Sequence, residues 1–175
     1  MRKIAAQYIF PISSKPIKQG IIELSDEGEI LNIFTFDRDF KETALTEFYN
    51  GILVPGFVNI PHDKNLKNII SPTDKFINLE ITLKDNPYLV IKLEHYATNE
   101  NLSIIKNLLT IQQLNPNIPF ETLLKCVTLN AAKVLHLEKN MGSFEIGKKP
   151  GINLITELDF ENMRLTAKSN LKILI

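Results

Sequence analysis

The stretch Gly51-Ile52-Leu53-Val54-Pro55-Gly56-Phe57-Val58-Asn59-Ile60 constrains this chain more than any other. An apolar, β-branched run closed by a Pro-Gly pair reads as a buried strand meeting a tight turn. The strand is expected over 51–60, and the rest of the chain is organised around it.

Before it, residues 3–10 favour a strand, and 11–20 read as a loop with prolines and serines. Gly20-Ile21-Ile22-Glu23-Leu24 and Glu29-Ile30-Leu31-Asn32-Ile33-Phe34 flank Ser25-Asp26-Glu27-Gly28, a short polar link ending in glycine that predicts a hairpin. Residues 42–50 read as a helical turn or an irregular connection. After it, 62–75 are polar, with a turn signal at Ser71-Pro72-Thr73-Asp74, and Leu79–Leu83 forms a short strand or a turn of helix. Tyr88-Leu89-Val90-Ile91-Lys92-Leu93-Glu94 reads as a strand. Leu102, Ile105, Leu108, Leu109, Ile111, Gln112 and Leu114 recur at helical spacing over 101–114, with Asn99 or Asn101 available as N-cap. A second helical pattern covers 120–136. The link 142–151 is rich in turn residues, and strands are expected at 152–155 and 171–175.

Composition excludes several classes of function. Twenty basic and twenty acidic residues cancel, so no overall field attracts nucleic acid or an anionic membrane surface. No run approaches the roughly 20 apolar residues that span a bilayer. The N-terminal apolar stretch is interrupted by Gln7 and stopped by Pro11, which is short for a signal-peptide core. Cys126 is the single cysteine, so neither an intrachain disulfide nor a thiolate metal cluster forms. A cytoplasmic protein is expected.

Several segments together resemble the amidohydrolase superfamily, the metal-dependent hydrolases that include chlorohydrolases and deaminases. In that family the first barrel strand carries Gly-Pro-Gly, two apolar residues, Asn or Asp, and then His-x-His, whose histidines hold the catalytic metal. Pro55-Gly56-Phe57-Val58-Asn59 follows this pattern, but Pro61 and Asp63 stand where the histidines belong. The meander Tyr8-Ile9-Phe10-Pro11, Gly20-Ile21-Ile22-Glu23 and Asp26-Glu27-Gly28-Glu29-Ile30 resembles the family's opening strands. Near the other end, Thr128-Leu129-Asn130-Ala131-Ala132 precedes Gly142-Ser143 through Gly147-Lys148 and the strand Ile152-Asn153-Leu154-Ile155, in the family's order. Ala97-Thr98-Asn99 with Leu102-Ser103-Ile104 resembles the segment after the last barrel strand, which places Glu94 at the position of the family's metal-binding, proton-transferring aspartate. Only Lys64 to Ile70 separate the early match from the late one, whereas a complete barrel takes about 250 residues. The resemblance is to a family member without the middle of its barrel.

The fold class that follows is α+β. Residues 1–60 and 142–175 are expected to form a small β-sandwich from both chain ends, and 61–141 an α/β remnant of a TIM barrel with two helices. Unpaired strands left by the missing barrel would recruit a partner, which suggests a homodimer or a related amidohydrolase.

A catalytic zinc site takes about three protein ligands. His62, Asp63, Glu94 and His95 are the weak candidate metal set. His62 falls out of phase with the family pattern, and strand alternation would turn His95 away from Glu94. Glu94 is the one catalytic candidate, at the family's aspartate position. His136 falls at a helix end, where histidine meets terminal carbonyls or solvent. Cys126 reads as a small buried thiol. The phenylalanines Phe10, Phe34, Phe36, Phe40, Phe48 and Phe57 read as core, and the glycines at 142–151 lack a phosphate-binding fingerprint.

The functional expectation is an amidohydrolase-like protein without catalysis, serving as a binding, regulatory or assembly module with no cofactor. Two alternatives stand beside it. One is a reduced hydrolase of carbon–nitrogen bonds using zinc or another divalent metal. The other is a partner subunit of an intact amidohydrolase.

Overall fold

The computed structural model describes residues 1–35, 46–60, 69–70, 89–91 and 100–175, with only the backbone at 69–70 and 100–103. Its centre is a mixed six-stranded sheet. The first four strands are β1 (Arg2–Ile9), β2 (Ile17–Leu24), β3 (Ile30–Thr35) and β4 (Thr46–Pro55). A two-stranded parallel pair follows, β5 (Ile69–Ile70) with β6 (Val90–Ile91). Then come α1 (Glu100–Leu114), α2 (Phe120–Val127), α3 (Leu129–Val134), β7 (Ile152–Thr156) and β8 (Asn170–Ile173).

The large sheet runs β3-β2-β1-β4-β7-β8, so both ends of the chain meet at β4. β4 pairs in parallel with β1 and antiparallel with β7, where Ile52 faces Ile155 and Pro55 faces Ile152. The strands from the two chain ends therefore form one continuous ladder, rather than the two layers that a sandwich implies. Ile52, Leu53 and Val54 are fully buried, each worth roughly 1.5–3 kcal/mol of apolar burial. Ile52 and Val54 enter one core with Phe10, Ile155 and the helices, while Leu53 points to a second core with Ile4, Ile22, Phe144 and Leu154. Apolar cover on both faces explains why the sequence there does not alternate.

Boundaries around β4 differ from those predicted. Residues 46–50, read as helical or irregular, belong to the strand. Ala6 faces Tyr49 whereas Tyr8 faces Ile52, so β4 carries a bulge, and Gly51 sits in it with φ 151°. A Cβ on Gly51 would lie 2.4 Å from the Ile155 carbonyl oxygen, a space that glycine alone fits. The strand ends at Pro55 instead of continuing to 60, because the next amides leave the ladder. The Gly56 N–H donates to the Pro150 carbonyl (3.1 Å) and the Val58 N–H to the Val127 carbonyl (2.9 Å). Phe48, expected in the core, is 59% exposed. β7 pairs only with Ile52–Pro55 and leaves the start of β4 beside β1. Phe36 and Phe40 lie outside the described residues.

Elsewhere the hairpin forms as expected between β2 and β3, closed by Ser25, whose Oγ accepts from the amides of Glu27 and Glu29, and by Gly28 at φ 78°. β2 starts at Ile17, inside the stretch read as loop. The second helical pattern is two helices, broken at Thr128 (φ −121°, ψ −94°), whose Oγ1 donates to the Leu124 carbonyl at 2.8 Å. The strand predicted at 88–94 is described only at Val90–Ile91, and the readings at 71–74 and 79–83 and the Asn99 cap lie outside the described residues.

Two polar links tie these layers together. Gln112, buried on α1, donates from Nε2 to the Leu165 carbonyl and accepts from the Leu165 N–H, both at 3.0 Å, imitating a strand partner. At the surface, Arg2 grips Glu47 with two N–H donors at 2.6 and 2.8 Å, and the Tyr49 hydroxyl donates to the same carboxylate at 2.7 Å. These bonds, Arg2 first and Tyr49 second, depress the Glu47 carboxyl to about 2.

Gln112→Ala strands a buried N–H and carbonyl, and should cost about 1–3 kcal/mol in urea unfolding. The depressed Glu47 carboxyl stabilises the fold above its unfolded value of 4.5, and that contribution is lost as pH falls towards about 2. The melting-temperature gap between the native chain and Glu47→Gln should therefore close across that window, a modest change because the pair is partly exposed.

Candidate functional site

The family frame begins where β4 ends. Gly56 passes so close to the 150–151 turn that a Cβ would lie 2.5 Å from the Pro150 carbonyl oxygen. Beyond it, Val58 and Ile60 are buried against Val90 of β6 and against Ala131 and Ala132 of α3. Asn59 between them is exposed. Val58 and Ile60, which follow β4, and Val90 of β6 thus share one apolar cluster.

α3 holds this meeting point. The break at Thr128 turns the chain so that Asn130, 2% exposed, donates from Nδ2 to the Leu89 carbonyl at 2.8 Å, just before β6. Gly142 follows at φ 86°, where a Cβ would lie 2.7 Å from the Ala132 Cβ. The helix ends with the Leu137 N–H on the Ala132 carbonyl (2.8 Å) and the His136 N–H on the Lys133 carbonyl (3.0 Å), a Schellman closure. His136 itself takes the left-handed conformation (φ 60°), and its side chain faces solvent.

His62, Asp63, Glu94 and His95 lie outside the described residues. Among the described residues, no group of three or more His, Cys, Asp or Glu side chains converges to hold a metal ion. The described part therefore supplies no donor set for the divalent ion that the family uses, and no reaction step follows from it. Cys126 is buried at the α2 core face, and desolvation pushes its thiol up to about 12, which leaves it protonated and unreactive.

The Gly-Ser turn has structural work. Ser143 is fully buried and donates to the Glu145 carboxylate, and Lys148 Nζ donates both to that carboxylate and, at 2.8 Å, to Ser143 Oγ. Lys148 first and Ser143 second hold the Glu145 carboxyl below its usual range. The Phe144 N–H donates to the Pro11 carbonyl, and Ile30 exchanges amide bonds with Lys148 and Gly147, each at 2.9 Å. Lys149 pairs with Glu27 at 2.8 Å. The turn therefore fastens the N-terminal hairpin beside the helices. Helical spacing places Gln112 among the recurring core positions of α1, but its bonds to Leu165 carry no local signal, and neither do Glu121 and Arg164.

The amidohydrolase family model matches residues 41–171, and the chain belongs to that family. No curated protein sequence matches it. One similar solved structure is N-acetyl-D-glucosamine-6-phosphate deacetylase from Mycobacterium smegmatis, 14% identical, covering 34% of this chain and 15% of that one, with a TM-score of 0.27. Another is a mutant of that enzyme in complex with N-acetyl-D-glucosamine-6-phosphate, 13% identical, covering 71% of this chain and 34% of that one, also at 0.27. The chain thus spans about a third or less of those proteins' length, and likenesses this slight carry no argument. Among the described residues, no helix is long and apolar enough to cross a membrane.

Asn130→Ala removes the donor that holds the buried Leu89 carbonyl. It should cost about 1–3 kcal/mol, and amide hydrogen exchange at Val90 and Ile91 should quicken more than at Ile52–Val54.

Proposed function

We propose that this amidohydrolase-family chain is a non-catalytic module, serving binding, regulation or assembly. The observation that carries this reading is the replacement of the family's two first-strand histidines by Pro61 and Asp63 within an otherwise matching segment. The proline side chain offers no donor atom to a metal, which leaves the single carboxylate of Asp63 where the family has two imidazoles. The buried Val58 and Ile60 and the Asn130 clamp support a role for these segments as scaffold.

A second reading, a reduced hydrolase of carbon–nitrogen bonds, is favoured by one observation. The chain segments leading to His62 and Asp63, and to Glu94 and His95, start from the same cluster of Val58, Ile60 and Val90. In that reading those four side chains hold one divalent ion, zinc included, and Glu94 takes the family aspartate's place. The non-catalytic module works in the cytoplasm without a cofactor, as a homodimer or beside a related amidohydrolase, with no nucleic-acid or membrane partner.

The test is elemental analysis of protein purified with zinc, iron and manganese supplied. The non-catalytic reading expects a metal content near zero, unchanged by Glu94→Ala. A stable content near one metal per chain that Glu94→Ala abolishes would overturn it in favour of the hydrolase.

A further inference from the structure

A cleft of about 330 Å³ opens between the first turn of α2 and the link that joins β7 to β8. Its size falls within the roughly 300–1,000 Å³ of small-ligand sites. Its lining includes the apolar Phe10, Ile118, Phe120 and Met163 and the oppositely charged Glu121 and Arg164. Phe10 and Phe120 meet edge to face at 5.8 Å and 75°, which makes that wall rigid.

The charged side is also built in place. Arg164 exchanges two backbone hydrogen bonds with Asp159, at 2.9 and 3.0 Å. The Asp159 carboxylate is engaged within its own turn, accepting from the amides of Glu161 and Asn162 and from Asn162 Nδ2. Asp159 feels Arg164 only as the smallest of its stabilising influences. Among the described residues, neither Arg164 nor Glu121 forms an ion pair, with each other or with anything else. A permanent guanidinium and a carboxylate that line one cleft with apolar side chains, without pairing to each other, suit a ligand that carries both charges and an apolar body. A plain carboxylate would meet repulsion from Glu121, and a plain amine would meet repulsion from Arg164.

We propose that this cleft binds a small zwitterion with an apolar side chain, of the class of aromatic or branched aliphatic amino acids. Its carboxylate lies on Arg164, its ammonium on Glu121, and its side chain between Phe10, Phe120 and Met163. The site draws on none of His62, Asp63, Glu94 or His95, so its test and the metal analysis succeed or fail separately.

Calorimetric titration of the full chain with L-phenylalanine, L-leucine, 3-phenylpropionate and 2-phenylethylamine tests it. An amino acid should bind about tenfold or more tightly than either singly charged analogue, and Arg164→Gln and Glu121→Gln should each weaken it by about tenfold. Circular dichroism melting checks that both variants keep their fold, and the comparison among ligands on the native chain does not depend on them. The proposal is overturned if neither amino acid binds, if 3-phenylpropionate or 2-phenylethylamine binds as well, or if a folded Arg164→Gln chain binds undiminished.

Discussion

The structure depends on the insertion of β4 between a strand from the start of the chain and one near its end. β4 takes parallel bonds from β1 on one side and antiparallel bonds from β7 on the other. Its fully buried Ile52, Leu53 and Val54 feed two cores on opposite faces. A long-range arrangement of this kind closes large loops before its contacts form, so the cooperative unit includes both chain ends. Gly51 is the local concession that makes it possible. The bulge lets β4 keep both partners, and no side chain fits beneath the Ile155 carbonyl.

Around that strand, the motifs that mark the family serve as joints. Ser143, Glu145 and Lys148 close the turn against the β2–β3 hairpin, with Phe144 plugged into the second core. Thr128 breaks the helix, and Asn130 reaches across to the strand at Leu89. Gly56 and Gly142 allow backbone or side chain to pass where a Cβ would collide. Each of these residues places another segment, and none of them presents a reactive group. A chain can therefore keep a family's frame while the side chains that would do chemistry vary independently, because packing and catalysis make demands on different atoms.

Much of the architecture was legible in local pattern. The hairpin announced itself through Ser25-Asp26-Glu27-Gly28 between two apolar runs. The first long helix followed from the spacing of Ile105, Leu108 and Ile111, and Cys126 from its place on an apolar face. Boundaries were less legible. Gly56 and Val58 look as strand-like as Leu53, and only their hydrogen bonds to Pro150 and Val127 take them out of the ladder. Thr128 interrupts a pattern that periodicity alone carries through to 136. Of the candidate site, the replacement of histidines by Pro61 and Asp63 was visible at once. The cluster that joins Val58 and Ile60 to β6 was not, since Val58, Val90 and Ala131 are remote in sequence.

The sequence by itself determined the family, the class of each main element and the absence of a His-x-His pair, because these rest on residue identity and on local propensity. Tertiary structure alone decided that the two chain ends share one ladder, that Gln112 serves Leu165 as a strand partner, and that Glu121 and Arg164 face one cleft. Those relations depend on which distant groups find each other, and no local pattern encodes the register of strands or helices separated by tens of residues.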